Sequence, residues 1–265
     1  MTSLEAHTRD FLVTSGNGLE VHVRVQGEGA PLLLLNGFTR PLESWEPFVE
    51  ALDERTVISF DAPGVGGSPV PYLPLTIAQL ADVAVSVLDE AGFDRVDVLG
   101  FSHGGAVAQQ MAVSYPQRVR RLVLVSTSCG VGTTLGAIDS LDQAAMGSGA
   151  RKWSGALGAL WHSMAITSWS SIPFLGAITA PTLVVCGTHD SVAPPSNSRS
   201  LAQRIPDASL VMLAGGHDLQ LAEPAKALAR TVERFLGREV ARQLPGVASA
   251  GKPSINEVVA NKEKA

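Results

Sequence analysis

The sequence predicts one α/β domain, in which a mostly parallel sheet of eight strands is covered by helices on both faces. Its 265 residues are long enough for one large core, and 45% of them are hydrophobic while only 17% are charged. Short, wholly apolar runs, typical of strands buried on both faces, alternate with segments of helical spacing. This alternation implies right-handed crossovers, which bring functional groups together at the carboxyl ends of the strands.

The predicted strands begin with an antiparallel pair, because the β-rich runs 10–15 and 19–25 flank the turn residues Gly16, Asn17 and Gly18. The buried apolar runs that follow are residues 31–35, 57–60, 96–99, 122–125, 182–185 and 209–213. Helical spacing is present at residues 43–52, 77–91, 104–115, 196–205 and 223–236.

Two stretches interrupt the alternation. Residues 130–176 are rich in small residues and contain three of the four tryptophans, so we interpret them as a short lid inserted into a core formed by 1–129 and 177–237. Residues 238–265 contain Pro245 and Pro253 and end in a polar run, which predicts a disordered tail.

Composition limits the partners of the protein. A formal net charge of −5 and an isoelectric point near 5.7 provide no basic surface for nucleic acid. No apolar run approaches the roughly 18 residues of a membrane span. The first residues lack a basic segment leading into an apolar stretch, so we expect a cytoplasmic protein without an export signal.

Cysteine usage and metal motifs are also sparse. Cys129 and Cys186 are too few for a disulfide framework, and both end apolar runs, so we expect buried thiols in a reducing compartment. The sequence contains neither HExxH nor a Cys/His cluster, which predicts catalysis without a metal or another cofactor.

The first chemical motif is the pentapeptide Gly100-Phe101-Ser102-His103-Gly104, which directly follows one buried strand and directly precedes a helix. A serine on such a tight turn needs small neighbours, because its backbone is strained and closely approached. The turn presents the hydroxyl at the helix N-terminus. Ser102 is therefore the candidate nucleophile, although a serine that only caps the helix is the alternative.

A serine hydroxyl is a poor nucleophile at neutral pH and needs a base within hydrogen-bond distance. His217 follows the predicted strand 209–213 and a glycine loop, which places it at a carboxyl end. Other histidines are placed less well: His7 in the leading segment, His22 in an alternating strand, His103 beside the serine and His162 in the lid.

The base in turn needs an acid that orients it, and in serine enzymes with this turn the acid precedes the histidine in the chain. Asp190 meets this demand, because it closes the strand that begins at Thr182 and is followed by a loop ending in Pro194. Asp218 is a rival, but its neighbouring position makes a bond to the far nitrogen of the His217 ring difficult. Asp207 precedes a strand instead of following one.

Acyl transfer also requires donors for the developing oxyanion. The expected donors are the backbone N–H groups of His103 and of Phe38, the latter in the loop that follows the predicted strand 31–35. Within the lid, Trp153, Trp161 and Met164 are candidate contacts for an aliphatic acyl chain, although tryptophans at such positions also serve as packing.

The ordered motifs LLLLNGF, FDAPGVGGS, GFSHGG, GTHDSVAP and GGHD resemble the α/β-hydrolase family over residues 10–237. NGF, FDAPGVGGSPVP, VLGFSHGGAVAQQ and the WSSI at 169–172 are most similar to intracellular medium-chain-length poly(3-hydroxyalkanoate) depolymerases. The resemblance implies the α/β-hydrolase fold and structural turns at Asp61 and at Gly64 to Gly67. In the loop after the third strand, Asn36 stands where many relatives have histidine, and the 130–169 segment is shorter than in those enzymes.

These residues together predict a serine hydrolase that cleaves carboxylic esters through an acyl-enzyme on Ser102 and passes protons through His217. The substrate is a small or polymeric ester, such as a poly(3-hydroxyalkanoate). The same triad also fits carbon-carbon bond hydrolysis or cofactor-free perhydrolysis and haloperoxidation. A receptor that binds a ligand without catalysis is the remaining alternative.

Overall fold

A computed structural model describes residues 8–130 and 155–237, together with a two-residue strand at 258–259. The strands form one sheet in the order β1-β2-β4-β3-β5-β6-β7-β8-β9. Their bounds are β1 Arg9–Thr14, β2 Glu20–Gln26, β3 Ala30–Leu35, β4 Arg55–Phe60, β5 Val96–Phe101, β6 Val119–Val125, β7 Thr182–Gly187, β8 Ala208–Leu213 and β9 Val258–Val259.

All neighbouring strands from β4 to β9 in the sheet order are parallel. Only β2 is antiparallel to its neighbours, β1 and β4. This confirms the predicted mostly parallel sheet and its antiparallel beginning. All eight predicted strands are present, and β9 adds a short parallel strand beside β8. β9 lies in the segment predicted to be a disordered tail, and the rest of that segment lies outside the described residues.

Helices cover both faces of the sheet, as predicted. The α-helices are α1 Glu46–Val49, α2 Ile77–Ala91, α3 His103–Ser114, α4 Ala156–Thr167, α5 Pro195–Arg204 and α6 Ala222–Leu236. One core layer packs α2, α3 and α5 on the sheet, and the other packs α1 and α6 on the opposite face. The sheet therefore lies between two layers of helices, and the carboxyl ends of its strands lie at the opening between these layers.

The predicted helix 43–52 is divided in the structure. A 3₁₀ turn over Leu42–Trp45 leads into α1, which has a single turn. Pro47, near the start of α1, has no N–H and cannot donate to the carbonyl of Glu43, so the hydrogen-bond ladder of a continuous α-helix is interrupted here.

Both cysteines lie in the core, as expected from their apolar runs. Cys129 and Cys186 are fully buried and unpaired with each other. Burial raises the pKa of the Cys186 thiol to about 11 and also raises that of Cys129, so both thiols stay protonated at neutral pH. Among the helices of the described segments, none has both the length and the apolar character that a membrane crossing requires.

The described part of the predicted lid is largely helix α4 and its return to the sheet. Trp161 Nε1 donates to Pro71 O at 3.0 Å, and His162 Nε2 lies 3.1 Å from Pro63 O. Further along, Ser171 N donates to Cys129 O at 2.9 Å. The first two contacts fasten α4 to the segment after β4, and the third joins the segment after α4 to the one after β6; residues 131–154 lie outside the described residues.

Candidate active site

Ser102 occupies a sharp turn between β5 and α3, with φ 51° and ψ −116°. A Cβ on Gly100 would lie 2.5 Å from Gly104 O, and one on Gly104 would lie 2.1 Å from Leu35 O. Neither position has room for a side chain, because the helix backbone approaches β5 and β3 this closely. The strand, turn and helix predicted around the serine are all present.

Three hydrogen bonds hold the backbone of this turn. Ser102 N donates to Val125 O at 2.9 Å, which ties the serine to the end of β6. The carbonyl of Ser102 accepts from Thr127 Oγ1 at 2.7 Å and from Gly105 N at 2.9 Å. The strained conformation is thus fixed by its surroundings, and the hydroxyl points away from these contacts towards His217.

Ser102, His217 and Asp190 form one chain of hydrogen bonds. His217 Nε2 lies 3.0 Å from Ser102 Oγ, and His217 Nδ1 lies 3.0 Å from each carboxylate oxygen of Asp190. The residues come from the ends of three strands, β5, β8 and β7. The geometry matches a nucleophile, a base within reach of it and an acid that fixes the ring orientation.

Asp190 is buried and held by backbone hydrogen bonds. Its side chain has no exposed surface, and Oδ1 accepts from Val192 N at 3.0 Å and from Ala193 N at 2.8 Å. These two backbone donors fix the plane of the carboxyl group towards His217.

The rival acids lie elsewhere. Asp218 pairs with Arg40, whose Nη2 is 2.5 Å from Asp218 Oδ1. Asp207 lies at the amino end of β8, where its carbonyl accepts from Thr182 N. Neither carboxylate is hydrogen-bonded to His217.

The two expected oxyanion donors lie at neighbouring strand ends. Phe38 follows β3, and His103 is the first residue of α3, whose first amides have no acceptor within the helix. Among the described residues, neither backbone amide has a hydrogen-bond acceptor. Both N–H groups are therefore available to an oxyanion, together with the positive end of the α3 dipole.

Asn36 supports the loop that carries Phe38. Its Nδ2 donates to Pro41 O and to Ser44 Oγ, both at 2.8 Å, and its Oδ1 accepts from Gly37 N at 2.8 Å. The same loop contains Thr39, whose φ of 53° is uncommon for a β-branched residue. The sequence motif marks Asn36 as unusual, but it does not show that this side chain braces residues 36–39, which we call the oxyanion loop because they carry the expected donor Phe38.

Asp61 has the structural role that the resemblance implies. The side chain is 1% exposed and accepts from Leu42 N at 2.8 Å and from Gly67 N at 2.7 Å. A Cβ on Gly66 would lie 2.3 Å from Asp61 Oδ2, so the glycine leaves room for the carboxylate. His22 Nδ1 lies 3.1 Å from Asp61 Oδ2, and this His–Asp pair therefore belongs to the turn rather than to the serine.

An aromatic cluster joins the lid helix to the two oxyanion residues. The ring of His162, on α4, lies 5.0 Å from the ring of His103 and 6.3 Å from that of Phe38. Burial is the main cause that lowers the pKa of His103 to about 3, and it also lowers the pKa of His162. Both imidazoles are thus neutral at neutral pH, and neither competes with His217 for Ser102.

The residues proposed to hold an acyl chain have different surroundings. Trp161 packs in a small cleft with His162 and Ala165 of α4, against Pro63 and Pro71. Met164 is 46% exposed on the outer face of α4, beside the exposed Leu157 and Leu160. Trp153 lies outside the described residues. In the described ranges, no group of three His, Cys, Asp or Glu side chains could hold a metal ion.

Comparison with known proteins agrees with this architecture. The model of the α/β hydrolase fold family matches residues 30–152 and 148–224. A poly(3-hydroxyalkanoate) depolymerase from Ectopseudomonas oleovorans is 37% identical over 255 residues, which cover 83% of this chain and 90% of that protein. The 2-hydroxymuconate semialdehyde hydrolase of Pseudomonas putida is 29% identical over 257 residues, covering 83% of this chain and 91% of that protein.

Solved structures give the same result. An enol-lactonase from Burkholderia xenovorans LB400 superposes with a TM-score of 0.77 at 27% identity, covering 86% of this chain and 100% of that one. The resemblance predicted from the sequence motifs is thereby confirmed, and the chain is a hydrolase of the α/β hydrolase fold family.

Proposed function

We propose that the protein hydrolyses carboxylic esters through a covalent acyl-enzyme on Ser102. The observation that carries this proposal is the hydrogen-bond chain from Ser102 Oγ through both nitrogens of His217 to Asp190, with 3.0 Å at each step. A serine activated in this way attacks an acyl carbon. The backbone amides of Phe38 and His103, which have no acceptor among the described residues, suit the oxyanion that results.

In the first half-reaction, Ser102 Oγ attacks the ester carbonyl while His217 Nε2 takes the hydroxyl proton. The carbonyl oxygen becomes an oxyanion that accepts from the N–H groups of Phe38 and His103. Asp190 stabilises the imidazolium that forms and holds its Nδ1–H towards the carboxylate. His217 then gives the proton to the alcohol oxygen, the carbon–oxygen bond breaks, and the acyl group remains on Ser102.

In the second half-reaction, a water molecule takes the place of the departed alcohol. His217 Nε2 removes a proton from this water as the water oxygen attacks the acyl carbon, and the same two amides bind the oxyanion. Collapse releases the carboxylic acid and returns the proton to Ser102 Oγ. The cycle needs no group other than water and the residues of this chain.

The proposed substrate class is an ester with an apolar acyl chain, with poly(3-hydroxyalkanoate) as the leading polymer. Identity of 37% to a poly(3-hydroxyalkanoate) depolymerase supports this choice. Segments 69–77 and 155–174 contain no Asp, Glu, Lys or Arg and expose apolar side chains, and His162 in the second segment contacts the rings of Phe38 and His103. An uncharged, apolar surrounding favours a neutral aliphatic substrate over an anionic one.

Hydrolysis of a carbon-carbon bond is a second candidate, supported by the similarity to the 2-hydroxymuconate semialdehyde hydrolase. It would use the same serine, histidine and aspartate, so the geometry of the triad does not distinguish the two reactions. Substrate profiling distinguishes them.

The test combines a fluorophosphonate probe with p-nitrophenyl esters of increasing acyl length. We expect covalent labelling of Ser102 and a rate optimum at an acyl chain of about eight carbons, set by an apolar pocket. Ser102→Ala should lose labelling and lower kcat by more than about a thousandfold. Ser114→Ala, at the exposed end of the same helix, is the matched control and should behave as the wild type.

Polymer and carbon-carbon substrates complete the test. Release of hydroxy acids from poly(3-hydroxyalkanoate) granules by the wild type, and not by Ser102→Ala, would support the depolymerase. Turnover of 2-hydroxymuconate semialdehyde without ester hydrolysis would overturn ester cleavage in favour of the second candidate. Retention of the esterase rate in Ser102→Ala would overturn the mechanism itself.

A further inference from the structure

We infer that Arg40 is a positioning residue for the catalytic centre, because it joins the oxyanion loop to the serine turn and to the histidine loop. This inference rests on the proposed function, since it concerns how the same site is held together. Arg40 lies two residues after the donor Phe38, contacts Phe101 beside the serine and pairs with Asp218 beside the histidine.

The ion pair connects two loops that are remote in the chain. Arg40 Nη2 and Asp218 Oδ1 lie 2.5 Å apart, although 178 positions separate the residues. The arginine side chain is only 6% exposed, whereas that of Asp218 is 31% exposed. Burial lowers the pKa of Arg40 and the carboxylate of Asp218 opposes this change, so the guanidinium remains charged and fixed by its partner.

The aromatic ring of Phe101 lies between the arginine and the catalytic base. Arg40 Cζ is 5.5 Å from the centroid of this ring, and the His217 ring centroid is 5.0 Å from it. On the oxyanion loop, a Cβ at Gly37 would lie 2.6 Å from the Phe101 ring and 3.4 Å from Arg40 Cδ. The loop, the arginine and the ring are thus packed without spare room, and a shift of Arg40 would move its neighbours.

Through its charge, Arg40 also influences the protonation of His217, the proposed base. His217 faces Asp190 at Nδ1, the Ser102 hydroxyl at Nε2 and the uncharged Phe101 ring, and Asp218 follows it in the chain. His189, on the loop that carries Asp190, is exposed, and its backbone amide donates to Gly215 O. His103, also near Ser102, is buried and neutral.

Asp218 and Arg40 therefore form a neutral pair beside His217, and removal of one partner leaves a single charge there. Without Arg40, the carboxylate of Asp218 would stabilise the protonated imidazole, which cannot act as a base. The acidic limb of the activity profile would then move to higher pH. Without the carboxylate, the guanidinium would move this limb to lower pH.

The experiment compares Arg40→Met, Asp218→Asn, the double variant and Arg55→Met as full-length proteins. Arg55 is a matched control because it is a buried arginine in an ion pair, with Glu233, but lies at the amino end of β4. For each variant, kcat, KM and the rate of fluorophosphonate labelling are measured from pH 5 to 9, together with the melting temperature.

For Arg40→Met we expect kcat to fall by about tenfold to a hundredfold, with KM changed far less, because the oxyanion loop and base lose their alignment. The acidic limb of its pH–activity profile should shift to higher pH by about half a unit. That of Asp218→Asn should shift to lower pH by a similar amount. The double variant should recover the wild-type limb but keep the low kcat. Arg55→Met should lower only the melting temperature.

A further variant keeps the test decisive if Arg40→Met does not fold. Arg40→Lys keeps a positive charge for Asp218 but loses the planar group over Phe101, so it should keep the wild-type limb and lower kcat. The inference is overturned if the Arg40 and Asp218 variants behave like Arg55→Met while wild-type Ser102 is labelled. If wild-type Ser102 is not labelled at all, the proposed function fails first, and this inference fails with it.

Discussion

Ser102, the proposed nucleophile, has a backbone conformation that residues with a side chain rarely adopt. Its φ of 51° with ψ of −116° lies in a region that glycine enters easily. Strain of this kind costs about 1–3 kcal/mol and persists only where surrounding contacts enforce it, here those made by Val125 and Thr127. The site thus stores strain at the residue that has to present its side chain to His217.

Ser102→Gly should be more stable than Ser102→Ala, and both variants should be inactive. We expect the melting temperature of Ser102→Gly to exceed that of Ser102→Ala by about 2–4 °C, because alanine keeps the strain that glycine relieves. Scanning calorimetry of both variants measures the difference. At Ser86, within helix α2, the alanine variant should instead have a higher melting temperature than the glycine variant. A Ser102→Gly variant no more stable than Ser102→Ala would show that the turn carries no strain.

Individual site residues were predictable from the sequence where the motif fixed both their chemistry and their place after a strand. The structure brings Ser102, His217 and Asp190 together as predicted. The braces of the site were not predictable. Asn36 and Arg40 act through partners far away in the sequence or across a turn, and a single sequence does not show which side chains such loops bring together.

At the scale of elements, close packing of α3 against β3 and β5 determines where the serine lies. A Cβ on Gly104 would lie 2.1 Å from Leu35 O and 2.5 Å from Asn36 O. Both atoms belong to the backbone that leads into the oxyanion loop, so neither can move without displacing that loop. The helix and the loop therefore have to move together.

Gly104→Ala should consequently destabilise the fold and reduce activity. Overpacking of this kind costs about 1–3 kcal/mol, which corresponds to a melting temperature lower by roughly 3–10 °C. The catalytic rate should fall even at temperatures where the variant is fully folded. Gly176→Ala is the control, since a Cβ there has nothing within 4 Å. Unchanged activity in Gly104→Ala would mean that α3 can move without disturbing the site.

The sequence predicted the elements best where burial determined them. Every apolar run became a strand of the sheet, because runs buried on both faces have few other solutions. Helix prediction failed where local chemistry opposed the pattern, as at Pro47, which divides the predicted helix 43–52. The sequence predicted a lid at helix α4 but not the helix itself. Apolar residues lie on all sides of this helix, so its sequence shows no amphipathic periodicity.

At the scale of the whole molecule, the buried histidines couple stability to pH. The pKa of His103 in the folded protein is about 3, below the value of 6.5 for an unfolded chain. The unfolded state therefore binds more protons than the folded state between these values. The contribution of His103 to the free energy of unfolding is complete above pH 6.5 and is lost progressively as the pH falls towards 3. His162 acts in the same direction.

We therefore expect the free energy of unfolding to fall between pH 6.5 and 5 by up to about 1.4 kcal/mol per pH unit for each buried histidine. His103→Met should remove one such contribution and flatten the dependence, as measured by urea unfolding at several pH values. His189→Gln is the control, because this histidine is exposed. An equally steep dependence in His103→Met would contradict this origin.

The carboxyl and amino ends of the strands carry different groups. The carboxyl edge carries the triad, whereas the amino edge carries a buried ion network around Asp97 of β5, which has no exposed surface. Asp97 accepts from Arg120 on β6 and from Arg55 on β4, and Arg55 also pairs with Glu233 on α6. The network ties three strands and one helix together at the edge remote from Ser102.

Asp97→Asn should therefore lower stability without altering catalysis. Loss of the carboxylate leaves buried guanidinium charge uncompensated, which costs about 3–5 kcal/mol and corresponds to a melting temperature lower by roughly 10 °C. At temperatures where the variant remains folded, kcat and KM should equal those of the wild type, because Asp97 lies at the start of β5 and Ser102 follows its end. Asp10→Asn removes the exposed pair with Arg24 and should change stability by less than about 1 kcal/mol. A loss of kcat in folded Asp97→Asn would show that the amino edge helps to align the site.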